Sequence, residues 1–181
     1  MAIDASELPI VNGALDILGQ RVITEAQLIT TPDNRSSKLA ARSYELQRDM
    51  LLRDHRWNFA MKRVTLSVAV TAPDHKYDFA FSLPSDSLRI VEINNTPIYR
   101  WGGGSWYEDP DAGKWKVEGQ SIITNVSDDL EVLYISRVST YSEMDPMFVN
   151  ALQYKCAAEW AVKLSGKASD KESASQMFGS L

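Results

Sequence analysis

The chain has 181 residues, a formal charge of −5 and a pI near 5.1. That length suits one domain, or one domain with an extension, able to bury roughly 70% of the surface its unfolded form exposes. A single cysteine, Cys156, excludes an internal disulfide framework, the two histidines, His55 and His75, make a poor metal pair, and the acidic balance argues against a broad basic face gripping nucleic acid.

In chain order, Ser6 is placed to cap a first helix, with Pro9 in its opening turn and Gly19 at its end. Val11, Leu15 and Leu18 would form its buried stripe. A connector from Thr30 to Asn34 leads to a second helix, Arg35 to Asp54, in which Leu39, Ser43, Leu46 and Met50 recur at spacings of three and four. These two helices are expected to pack as an antiparallel pair.

From Lys62 the period changes to two. Val64, Leu66 and Val68 alternate with Thr65, Ser67 and Ala69, and Tyr77, Phe79 and Phe81 with Asp78 and Ala80. Further short strands are expected at Arg89 to Asn94, Ile98 to Trp101, Trp115 to Val117 and Ser121 to Thr124, with turns at Asn94-Asn95 and Glu118-Gly119. Leu130 to Ser136 is apolar on both faces, as a central strand would be.

Asp145-Pro146 reads as an N-cap followed by proline at the first helical position, and Phe148, Leu152, Cys156, Trp160 and Leu164 follow every four residues. Gly166 breaks that helix, and Ser169 to Glu172 has the spacing of a capping box opening a last one, which ends near Phe178. The order predicts an α+β fold: terminal helices forming an antiparallel bundle from residues 1–58 and 142–181, with residues 59–141 inserted as an antiparallel β-rich lobe.

Candidate chemistry is sparse. Glu108, Asp109 and Asp111 are the densest carboxylates and could serve a small hydrolase, but Pro110 and Gly113 mark a solvated turn. The Asp128-Asp129 pair suits a turn before the apolar strand, and His55 suits a helix C-terminus, where a cation complements the dipole. Gly102-Gly103-Gly104-Ser105 lacks the spacing of a phosphate loop. Around it, Arg100, Trp101, Trp106 and Tyr107 suggest either packing on the sheet or a protein-binding surface. Cys156, in an apolar stripe, reads as a small core residue. The expectation is a protein without enzymatic activity or cofactor.

One stretch joins these parts. Arg48 to Ala60 runs from a charged helix into Trp57-Asn58-Phe59-Ala60, and some distance on comes Leu83-Pro84-Ser85-Asp86-Ser87-Leu88-Arg89. Leu133-Tyr134-Ile135 and Asp145-Pro146-Met147-Phe148 follow, before an alanine-rich helix. This order, over about Leu15 to Leu164, resembles the tail tubular protein A, or head-tail adaptor, family of short-tailed bacteriophages.

The resemblance implies a virion protein at the head-tail junction, made in the bacterial cytoplasm. It would form a ring, dodecameric in the family, between portal protein and tail nozzle protein, with DNA passing through unread and no membrane contact. The bundle would build the ring on the portal side and the lobe would face the nozzle through Arg100, Trp101, Trp106 and Tyr107. Trp57 and Phe59 would anchor lobe to bundle, and Met177, Phe178 and Leu181 would face the portal. Family members carry a longer tail past the last helix, which is where this sequence departs from them.

Overall fold

The structure is a computed structural model and describes residues 3–69, 73, 76–97 and 115–180. The expected strand at Ile98 to Trp101, the glycine run, the aromatic residues around it and the carboxylates Glu108, Asp109 and Asp111 lie outside the described residues, as do His75 and Leu181. The fold is mixed α and β with two antiparallel sheets, and the chain divides into two compact units, Met1–Ala60 with Arg137–Leu181, and Met61–Ser136.

The first unit is helical: α1 (Leu8–Ile17), α2 (Glu25–Ile29), α3 (Arg35–Asp54), α4 (Pro146–Leu164) and α5 (Ala168–Gly179). Asp4, rather than Ser6, opens the chain's first helical turn. Its carboxylate accepts from the Ser6 amide while Glu7 reaches back to the Asp4 amide, so a one-turn 3-10 segment, Ala5–Glu7, precedes α1. At the other end Gly19 sits at φ +61°, where its amide and that of Gln20 close a Schellman motif on Asp16 and Leu15.

Val11 and Leu15 are fully buried and Leu18 nearly so, but α1 lies chiefly on α4 and only lightly on α3, so the antiparallel pairing expected of α1 and α3 is not the main contact. Gly13 lies close to α4: a Cβ there would meet the amide end of the flexible Gln153 side chain, which would have to turn aside. Between Gly19 and the Thr30–Asn34 connector lies a short helix absent from the expected elements, α2, opened by a Thr24–Gln27 capping box.

The largest departure is the orientation of α3. Leu46 is 59% and Met50 48% exposed, while Ser37, Ala40, Tyr44, Arg48, Leu51 and Leu52 face inward. Helical α4 follows its expected course: Asp145 accepts from the Met147 amide, Pro146 is at the first position, and Phe148, Leu152, Cys156 and Trp160 are wholly buried, with Leu164 half-buried at the helix end. After Gly166 at φ +73°, α5 starts at Ala168 with Lys167 as its N-cap residue and no side-chain cap, so Ser169 to Glu172 does not form the expected capping box.

The second unit contains β1 (Met61–Leu66), β2 (Phe79–Ser82), β3 (Ser87–Ile93), β4 (Thr96–Pro97), β5 (Trp115–Glu118), β6 (Ser121–Thr124) and β7 (Leu130–Ser136). One sheet runs β1-β7-β3-β4 and the other β2-β6-β5. Strand β7 is central, as its two apolar faces require, pairing with β1 from Met61↔Ile135 to Leu66↔Leu130 and with β3 on its other side.

Leu66, Ile90, Ile93, Leu130, Val132 and Tyr134 of the larger sheet share one core with Phe81 and Ile122 of the smaller. The two sheets thus pack face to face as a small sandwich. Asn94 and Asn95, both at positive φ, turn β3 into β4, and Gly119 at φ +58° turns β5 into β6. Pro97 is tolerated because β4 is an edge strand.

Candidate functional site

The chain's exit from the helical unit is built from aromatic rings. After Asp54, His55 adopts an extended conformation and ends α3, and the Asn58–Ala60 segment forms one 3-10 turn before β1. Trp57 donates its indole N–H to the Leu51 carbonyl at 3.1 Å, which satisfies one of the carbonyls a helix C-terminus leaves free. Phe148, in the first turn of α4, meets Trp57 at 5.2 Å and Phe59 at 5.1 Å between ring centroids, both edge-to-face. His55 adds a third edge contact to Trp57 at 4.9 Å. Such pairs contribute about 0.5–1.5 kcal/mol each beyond the area they bury.

Trp57 and Phe59 are half-buried, whereas Phe148 is fully enclosed. They therefore pin the segment entering β1 to α4, and His55 serves as a ring contact on Trp57 as well as the helix stop.

A buried charge network lies deeper in the same unit. Arg48 Nη1 donates to both Glu7 carboxylate oxygens, at 2.8 and 2.9 Å, and the Tyr44 hydroxyl donates to Glu7 Oε1 at 3.1 Å. Arg48 Nε reaches Asp49 at 3.1 Å, and Arg137 Nε donates to the other oxygen of Asp49 at 2.7 Å. Three chain segments, the first turn, α3 and the strand-to-helix return, thus meet through one run of ions.

Burial raises the Glu7 carboxyl above its ordinary value, with Arg48 pulling the other way. Burial alone would lower the Arg48 guanidinium, but Glu7 and Asp49 hold it raised. The Tyr44 hydroxyl is raised by burial and by the Glu7 charge. Sequence reasoning missed Glu7 and Tyr44. The available signals were the Asp4-x-x-Glu7 spacing of a capping box and the four-residue step from Tyr44 to Arg48.

In the β unit, the Leu83 to Arg89 motif is the crossover between the two sheets. The Leu83 amide donates to the Gln120 carbonyl on the small-sheet side, and the Ser87 amide closes a turn on Pro84. Asp86 accepts from Lys62 Nζ of β1 at 2.9 Å and from the Tyr134 hydroxyl of β7 at 3.2 Å. Burial would raise the Asp86 carboxyl, but Lys62 and Tyr134 hold it below its ordinary value.

The remaining site candidates separate. Met177 on α5 is 48% exposed, and Phe178 is half-buried with Lys155 Nζ 5.2 Å from its ring centroid. Cys156 is fully enclosed and its thiol is raised by burial, the setting of a core residue. Among the described residues no group of His, Cys, Asp and Glu converges as around a metal ion, and no helix is long and apolar enough to cross a membrane. No family model matches the chain, and no curated protein matches it either.

Proposed function

We propose that the chain is a structural head-tail adaptor: a ring subunit seated beneath a phage portal, joining it to the tail nozzle around the channel through which DNA leaves. In this reading the terminal helices form an antiparallel bundle that builds the ring on the portal side, with Met177, Phe178 and Leu181 toward the portal. Residues 59–141 form the inserted lobe, presenting Arg100, Trp101, Trp106 and Tyr107 to the nozzle. The protein carries no catalytic step, and the acidic composition suits a lumen that repels phosphate and lets DNA slide.

One observation carries the reading. The two motifs behind the resemblance fall at two of the places where the chain changes layer: Trp57 and Phe59 where helix gives way to strand, and Leu83 to Arg89 where one sheet crosses to the other. Residues that hold changes of direction define a subunit's shape, which is what a ring repeats.

The test is electron microscopy of the full chain mixed with the portal ring encoded beside its gene. A second ring stacked on the portal is the expected result. Portal particles that stay bare at saturating chain would sink the adaptor reading.

A further inference from the structure

Two exposed surfaces of the helical unit complement each other. The first is the outer face of α3. Arg35, Lys38 and Arg42 stand there with Leu46 and Met50, all exposed, on the side away from Tyr44 and Arg48. None of the three cations pairs with a carboxylate among the described residues. In a chain of net charge −5, these three exposed cations make the first half of the α3 face locally basic, the carboxylates of Glu45 and Asp49 lying farther along and partly buried.

The second surface is an open hollow of about 380 Å³ where the Tyr141–Glu143 turn meets the start of α4, lined by Tyr141, Met144, Pro146, Val149, Asn150 and Gln153. Tyr141 is 40% and Met147 53% exposed, and Glu143 and Asp145, next to the lining residues in sequence, are exposed as well, Asp145 capping α4 through the Met147 amide. The turn is held in place by the Tyr141 amide, which donates to Ser6 Oγ at 3.1 Å.

We infer that the α3 ridge of one copy seats in the Tyr141–Gln153 hollow of the next. Leu46 and Met50 cover Tyr141 and Met147, while Lys38 and Arg42 meet the Glu143 side. Charge selects this pairing over ridge against ridge, which would set Arg42 against its own copy, and over hollow against hollow, which would oppose carboxylates. The contact is heterologous, using different patches on each copy, and only such a contact can propagate round a ring. The inference rests on the ring-forming reading and names its subunit contact.

Disulfide trapping in the full chain tests it. Cys156 is enclosed, so Leu46→Cys and Met147→Cys introduce the only accessible thiols among the described residues. Under mild oxidation at high chain concentration, the double variant should give a ladder of dimers, trimers and longer species, and each single variant should stay monomeric. A Leu46→Cys chain that dimerises alone overturns the pairing, as does a double variant that stays monomeric or that crosslinks only to added portal.

Charge reversal supplies a second arm. Lys38→Glu with Arg42→Glu should weaken self-association more than about tenfold, and adding Ser142→Lys and Glu143→Lys to the same chain should restore it. Failure to restore counts against the contact. Rings on the portal that tolerate every one of these changes would remove the contact and leave the adaptor reading intact. A ladder without portal-bound rings would do the reverse.

Discussion

The helical unit and the β unit are held by different chemistry. Buried α3 and α4 positions combine aromatic rings with an ion network, in which Glu7 is 0% and Arg48 2% exposed. Among the described residues the β unit buries no ion: the shared core of its two sheets is chiefly hydrocarbon, its fully buried polar side chains are Thr124 and Ser136, and the charged Asp86 is only partly buried. Charges inside cost desolvation and return little net stability, but they enforce one arrangement, because any other leaves an ion unpaired. Aliphatic packing gives stability with less directional demand. The helical unit is therefore the more geometrically specified of the two, and the β unit the more tolerant of conservative change.

That contrast can be broken at its strongest point. Arg48→Met leaves Glu7 buried without its cation and should cost about 3–5 kcal/mol in urea unfolding. Removing both ions together, Glu7→Leu with Arg48→Met, should cost less than Arg48→Met alone. A double variant worse than the single one would mean the pair supplies stability outright. Phe148→Ala should cost about 3–5 kcal/mol, as for other enclosed aromatics. Half-buried Trp57→Ala should cost roughly 2–3 kcal/mol, measured by thermal melting against the same baseline.

In the β unit, Ile122→Val should cost only about 0.5–1.5 kcal/mol. A loss matching that of Arg48→Met would erase the contrast between the units. The smallest effect belongs to Asp86. Its folded value is depressed, so the stability it supplies is present above the unfolded value, near 3.9 for aspartate, and is lost as pH falls through the folded one. Asp86→Asn should flatten that acid limb by less than about 1 kcal/mol, a half-exposed pair being screened by solvent. An unchanged acid limb would show that Lys62 and Tyr134 do not depress Asp86.

Much of the secondary structure was readable because its patterns were strict. The four-residue recurrence from Phe148 to Trp160, the Asp145-Pro146 start and the two-sided apolar run of β7 each match the structure. The face of α3 was not readable, since a pattern that assigns Leu46 and Met50 inward cannot know that Tyr44 and Arg48 meet Glu7 across 37 and 41 residues of sequence. Hydrophobicity misleads wherever a buried ion pair occupies the inner stripe and an apolar ridge is reserved for the surface. Of the candidate residues, Trp57 and Phe59 reach a common partner in Phe148, a meeting that neighbouring sequence does not announce.

The pairing of β1 with β7 has a consequence for synthesis. First and last strands of the β unit lie side by side, so its larger sheet cannot close until Leu130 to Ser136 has left the ribosome. The helical unit waits still longer, because Phe148 and Trp160 complete the core that α1 and α3 begin. Folding of both units thus waits on residues from Leu130 onward, and long-range closure of this kind is slow relative to local helix formation. Nascent chains stalled before residue 130 would hold both units open, with strand β1 and the Trp57 ring exposed together to chaperones or to one another.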